Sequence, residues 1–247
     1  MTDLIRVTKE AGIVSIFLNR PQRRNALSLG LLADLSTALS TEVGEDVTAV
    51  ILTGSGGVFS AGADLSDLSG TEKDLEIDDA IEKVTGIILE SPVPVIAAID
   101  GPCMGGAFYL ALSCDHRIAS RNAVFQVPVA RLGLLYNPPS VQRMRQRIGR
   151  DAVFRLLVLG ERLDAAEALQ TGIVSRVFEG ESYPAALELS ALTTANDRSS
   201  SAATKQLLNA FDSGDYDPAY WEARRRGFLS SPERRERVEK EKKRRGY

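Results

Sequence analysis

Two hydrophobic periods alternate through the first hundred residues, and this limits the possible folds more than any other feature of the chain. Runs 13–18 and 49–53 are short, β-branched and bounded by Gly or Pro, as buried strands are. Between them Leu31, Leu35, Ala38 and Leu39 recur at helical spacing, and Ile77, Ile81, Val84 and Ile88 line one face of a second helix. Residues 93–99 read as another strand, with prolines near its start where a missing NH is tolerated. Strand, helix, strand, helix, strand predicts an α/β unit with a largely parallel sheet.

The second half is mainly helical. Residues 151–159 form a helical run ended by Gly160, and Asp164 with Glu167 has the spacing of a capping box closed by Gly172. From about Tyr183 onward only helices and loops are expected, including residues 221–226 and a charged terminal helix. The expected organisation is a core over residues 1–182 and a helical segment over 183–247.

At 247 residues the chain can bury a full core without staples. Cys103 and Cys114 fit neither a disulfide framework nor a zinc ribbon and read as small buried side chains. A net charge of −3 gives no reason to expect nucleic acid, although residues 67–79 are mostly acidic and 239–245 mostly basic. No apolar run approaches membrane-spanning length, the first residues lack an apolar leader, and the C-terminus is no recognisable address, so a cytoplasmic protein is expected. No His/Asp/Glu cluster has metal-ligand spacing, so no metal is expected.

Two glycine-containing segments follow strands. In LTGSGGVFSAGADL (52–65) no Gly-Lys-Ser/Thr follows, and a dinucleotide fingerprint starting at Gly54 would need its third glycine at Phe59. In DGPCMGGAFYL (100–110) Pro102 cannot donate, and Gly105 and Gly106 precede an apolar helical run. Free NH groups at a helix start, aided by the helix dipole, attract developing negative charge. If the 61–63 loop lies beside that start, two NH groups from different segments converge on one oxygen, which is the geometry of an oxyanion hole.

The segments NRPQRRNAL (19–27), FSAGAD (59–64) and PVIAAIDG (94–101), followed by Gly105 and Gly106, resemble the enoyl-CoA hydratase/isomerase (crotonase) superfamily. SCDHRIA (113–119), Leu132 and Gly133, Gln142 and Arg143, GERLD (160–164) and GIV (172–174) extend the resemblance in one order from about residue 4 to residue 178. The resemblance implies an α/β spiral of ββα units with a C-terminal helical trimerisation segment, commonly in a dimer of trimers. It implies an acyl-CoA ligand whose thioester carbonyl meets the NH groups of Ala63 and Gly106, with no cofactor beyond that coenzyme A. The CoA moiety is expected along Arg24, Ala26, Leu27, Ala61, Ala63, Asp64 and Leu65. Lys242, Lys243 or Arg244 of an adjacent subunit is a candidate for its phosphates; a solvated helix of mixed charge is the competing reading of that tail.

The same resemblance exposes a departure. Hydratases of this family carry two glutamates, and the matching positions here hold Tyr109 and Val129; a third position, an aspartate base in some members, holds Asn137. Adding water to a double bond needs a base for the water and an acid for the α-carbon. Val129 does neither, Asn137 accepts no proton near neutral pH, and Tyr109 as a base needs a pKa well below its usual value near ~10. A carboxylate of the 67–79 stretch swung inward is one substitute; a solvated acidic loop is the other reading. Arg131 and Tyr136 fall near the inferred pocket. The only histidine, His116, follows Asp115 in a strand-like run and reads as structural. An atypical enzyme of the family, a non-catalytic acyl-CoA carrier and a structural subunit of a fatty-acid-metabolism assembly remain open, and the intact hole argues against the last.

Overall fold

The computed structural model describes residues 4–246; residues 1–3, where the leader reading begins, and Tyr247 lie outside them. β1 (Ile5–Glu10) and β2 (Ile13–Leu18) form an antiparallel hairpin turned at Ala11 and Gly12, both with positive φ. After α1 (Leu29–Thr41), β3 (Ala49–Gly54) joins β2 in parallel. α2 (Leu75–Glu90) then leads to β4 (Val95–Ile99), parallel to β3. β5 (Pro102–Met104) leaves this sheet, α3 (Gly106–Ser113) follows, and β6 (His116–Ser120) returns to pair with β4. β7 (Val124–Gln126), α4 (Pro138–Val153), β8 (Leu163–Asp164), α5 (Ala165–Gln170) and β9 (Arg176–Phe178) complete the strands. The result is a six-stranded sheet ordered β1-β2-β3-β4-β6-β9 beside a three-stranded sheet ordered β5-β7-β8. The first is parallel beyond its opening hairpin, as the alternation predicts.

Alternation along each strand divides the large sheet between two apolar layers. Val14, Ile16, Leu18, Val50, Leu52, Val95, Ala97 and Ile99 join the main core with α1, α2 and α3. Ile13, Ile51, Ile96, Ala98 and Ile118 form a second layer with Ala186 of α6 (Ser182–Ala191). Both sides of the central strands are therefore covered, which explains their near-continuous apolar sequence. The helix faces read from sequence are the buried ones: Leu31, Leu35, Ala38 and Leu39 on α1, and Ile77, Ile81, Val84 and Ile88 on α2.

Asp164 and Glu167 make the expected reciprocal capping box at the start of α5. The 151–159 run is the end of a longer element: α4 is broken at Gly149 (φ 78°) and continues past Val153 as a π-helical turn, Phe154–Val158. Backbone contacts divide the chain into one compact unit to Ala202 and another from Ala203. Residues 183–202, assigned to the C-terminal segment from sequence, fall in the first unit, because α6 closes the second face of the sheet. α7 (Arg198–Ser213) runs across the division, and α8 (Pro218–Ser230) and α9 (Pro232–Arg244) make up most of the second unit. Neither α8 nor α9 buries a residue.

Candidate active site

Three irregular segments lie side by side next to the smaller sheet. The Ala61 NH donates to Arg24 O at 2.9 Å, Leu27 NH to Gly62 O at 2.8 Å and Asp64 NH to Leu27 O at 3.0 Å, so 24–27 and 61–64 pair as short parallel strands. On the other side Ser60 NH donates to Pro102 O and Met104 NH to Ser60 O, both at 3.0 Å, pairing Ser60 with Cys103. Three residues beyond this bridge in each segment stand Ala63 and Gly106. Gly62 is where the two segments press together. A Cβ there would sit 2.7 Å from Met104 O and 3.6 Å from Gly105 Cα, and its φ of 89° also favours glycine. Gly105, at φ 53°, turns the chain into α3. Neither the Ala63 NH nor the Gly106 NH has an acceptor among the described residues.

The 24–27 and 61–65 loops are held by polar side chains. Asn25, fully buried with φ 53°, accepts from the Arg20 NH at 2.9 Å and donates to Ser55 O at 2.9 Å and Val58 O at 2.6 Å. Arg20 bridges Ala26 O at 2.9 Å and Asp64 Oδ2 at 3.0 Å. The Ser66 hydroxyl and NH, with the Arg20 guanidinium, hold the Asp64 carboxyl below its usual range against the opposing cost of burial. Ala26 and Leu27 are buried, Ala63 is half-buried, and Arg24, Ala61 and Leu65 are exposed. The Arg24 side chain has no ion-pair partner among the described residues.

α3 has unlike ends. At its C-terminus Arg117 donates to Cys114 O at 2.8 Å and Arg147 to the same oxygen at 2.9 Å, and Arg147 also reaches Leu112 O. Burial, with Arg147 nearby, lowers the Arg117 pKa to about 10, so it stays charged at neutral pH. One turn into α3, Tyr109 is 1% exposed. Its hydroxyl donates to Glu82 Oε1 of α2 at 3.0 Å and accepts from Arg143 Nη1 of α4. The Ser140 hydroxyl donates to the same Oε1 at 2.8 Å, and Arg143 stands 3.8 Å from Glu82 Oε2. Burial outweighs the Ser140 hydrogen bond and the Arg143 charge and pushes the Tyr109 phenol up, the opposite of what a tyrosine base needs. Tyr136 packs edge-on against Tyr109 at 6.4 Å, and burial followed by the charge of Asp78 pushes its phenol up as well.

These features meet those of known proteins. Residues 8–243 match the enoyl-CoA hydratase/isomerase family. The chain belongs to that family, the crotonase superfamily. It is 38% identical over 202 residues to a putative enoyl-CoA hydratase/isomerase, YngF, of Bacillus subtilis strain 168, covering 79% of this chain and 78% of that one. It is 34% identical over 174 residues to a probable enoyl-CoA hydratase, echA6, of Mycobacterium tuberculosis, covering 70% of each. Among solved structures, an enoyl-CoA hydratase from Bacillus anthracis superposes with a TM-score of 0.89 at 28% identity, over 98% of this chain and 96% of that one.

The residues expected from the resemblance at acid and base positions have other occupations here. Val129 is buried at the start of a short 3-10 turn. Asn137 caps α4, accepting from the Ser140 NH at 3.3 Å. In the acidic stretch, Asp74 clasps the Ser69 and Gly70 NH groups at 2.7 and 2.9 Å, and Asp67 accepts from Leu29 NH at 3.3 Å. Glu72, Glu76 and Asp79 are exposed. Asp78 is half-buried, and burial, then Asp79 and Glu82, raise its pKa. Arg131 is exposed, its Nε 3.6 Å from where a Cβ on Gly160 would stand. In the second unit Lys242 pairs with Glu239 at 2.8 Å and Arg244 with Glu241 at 2.8 Å, while Lys243 is exposed.

His116 has a structural setting: its Nε2 lies 2.8 Å from Ser175 Oγ. That hydroxyl gives its proton to Arg117 O at 2.9 Å, so the imidazole donates to the serine and activates no nucleophile. Among the described residues no group of His, Cys, Asp or Glu could hold a metal, and no helix is long and apolar enough to cross a membrane. Glu82 and Ser140 are absent from the sequence reading, and Arg143 enters it only as part of the family resemblance. Glu82 lies just past the acidic stretch, and nothing local marks Ser140 or Arg143 as its neighbours.

Proposed function

We propose that this chain binds an acyl-CoA thioester and stabilises its enolate, as an atypical hydratase/isomerase-type enzyme. The observation that carries this reading is the close approach of two segments, each with a left-handed glycine followed by an NH that has no acceptor among the described residues: Gly62 and Ala63, Gly105 and Gly106. Removing a proton from the carbon next to a thioester places charge on the carbonyl oxygen, and two fixed NH donors stabilise that charge more than they stabilise the neutral carbonyl. The positive end of α3 adds to the effect. CoA lies along Arg24, Ala26, Leu27, Ala61, Ala63, Asp64 and Leu65, with the Arg24 guanidinium open to a phosphate. The protein works as a homotrimer or dimer of trimers. Support for that assembly comes from the exposed apolar side chains of Leu132, Leu134, Leu135, Phe154, Val158 and Leu159.

A second reading, a non-catalytic acyl-CoA carrier, is favoured by the occupied hydroxyl of Tyr109 and by apolar Val129. Conventional hydration has no paired glutamates to drive it in either case. Titration with saturated and α,β-unsaturated acyl-CoAs, while following enoyl absorbance, separates the readings. Binding with turnover supports the enzyme. Binding without turnover at any chain length leaves the carrier, and failure to bind any CoA ester removes both.

A further inference from the structure

Resting on that thioester reading, we propose that Glu82 is the proton-transferring carboxylate of this site, supplied from α2 in place of the carboxylates missing at positions 109 and 129. The placement is geometric. Ile81, its neighbour, reaches the start of α3: a Cβ on Gly106 would stand 2.6 Å from Ile81 Cδ1. Glu82 then meets Tyr109, three residues beyond Gly106, at 3.0 Å. α2 therefore passes over the donor glycine and puts a carboxylate beside the side chain at the family's first glutamate position.

The carboxylate is oriented and keeps a lone pair for chemistry. Oε1 is occupied by the hydroxyls of Tyr109 and Ser140. Among the described residues Oε2 receives only the Thr85 hydroxyl at 3.2 Å, and that hydroxyl is shared with Glu82 O at 2.9 Å; Arg143 stands back at 3.8 Å. An oxygen with such a partial donor can accept a proton, while the Oε1 contacts fix its direction. The groups facing Glu82 are Asp78 on its own helix, Tyr109 of α3, Tyr136 before α4, and Ser140 and Arg143 of α4. Both phenols stay protonated, which leaves the carboxylates of Asp78 and Glu82 as the bases among them, and Glu82 is the one that meets Tyr109.

The step is a proton transfer that balances within the site. The C–H bond α to the thioester carbonyl breaks and its proton goes to Glu82 Oε2. The electron pair forms the enolate double bond as the carbonyl pair moves onto oxygen, between the Ala63 and Gly106 NH groups. The reverse movement returns a proton to carbon. In D2O the returned proton is deuterium, so a saturated ester reports the step without any later chemistry.

The test is α-proton exchange of butyryl-CoA in D2O, followed by mass spectrometry, with affinity measured separately by calorimetry. The wild type should bind and exchange. Glu82→Gln should keep its affinity within about threefold and lose on the order of 100-fold or more of the exchange rate. Glu82→Asp, which keeps the carboxylate but withdraws it by one methylene, should retain part of the rate. Binding without exchange in the wild type, or full exchange by Glu82→Gln, overturns the role of Glu82 alone. No binding of butyryl-CoA overturns the thioester reading and this one together. If Glu82→Gln fails to fold, an unreduced exchange rate in folded Glu82→Asp overturns the proposal.

Discussion

Gly62 and Gly105 lie against each other, at φ values of 89° and 53°, and the residue after each carries an NH without an acceptor among the described residues. The contact sets the spacing of the two donors, so its chemistry can be tested one NH at a time. Gly106→Pro deletes a donor at the first position of α3, where a proline ring suits the helix. Gly106→Ala places the same Cβ near Ile81 but keeps the NH. Acyl-CoA affinity should fall about tenfold or more in the proline variant relative to the alanine variant, as for a lost hydrogen bond of about 1.5 kcal/mol. Equal affinities in two folded variants would remove Gly106 from the site.

Tyr109→Phe removes one hydroxyl from Glu82 Oε1 and leaves Arg143 without its phenol acceptor. The ring stays, so no large cavity opens. Urea denaturation should show a loss of about 1–2 kcal/mol. An unchanged midpoint would mean that the Tyr109–Glu82 contact does not form in solution.

Asp64 gives stability a definite acid dependence. Its folded pKa lies below the ordinary aspartate value of 3.8, so its contribution is present above about pH 4 and disappears as pH falls through the folded pKa. Asp64→Asn should cost about 2 kcal/mol at pH 7, and the gap to the wild type should narrow below pH 4. A gap that widens on acidification would contradict the Arg20–Asp64 pairing.

The sole histidine makes a second pH dependence easy to assign. Burial, followed by Arg117, lowers the His116 pKa below 6.5, so the unfolded chain binds that proton more tightly. Stability should therefore fall as pH drops from 6.5 toward the folded value, and His116→Asn should flatten that part of the curve. Denaturation midpoints at pH 7.5 and 5.5 for both proteins decide this. A variant as steep as the wild type would place the titration elsewhere.

Local features were legible in the sequence. Helical spacing marked Ile77, Ile81, Val84 and Ile88, and the Asp164–Glu167 spacing marked a cap, because each depends on residues within a few turns of one another. The start of α3 after Gly105 was legible too, through the apolar helical run that follows it. The Glu82 cluster was not. Its partners are separated by 27 residues for Tyr109 and 58 for Ser140, and only the packing of α2 against α3 and α4 joins them. Position 109 could be named from family resemblance, but its protonation could not, since burial decides it. The place of α6 was also hidden, because a helix that covers a sheet has the same local pattern as one that extends away from it.

The two guanidiniums on the last carbonyls of α3 act at the other end of that helix. A helix of eight residues is only about 12 Å long, so its negative pole would ordinarily offset part of the positive potential at its start. Arg117 and Arg147 cover that pole with positive charge, leaving α3 closer to a single-signed source than to a balanced rod. An anion placed at Gly106 would therefore experience charges a helix length away, so its binding there would be set partly by residues that never approach it.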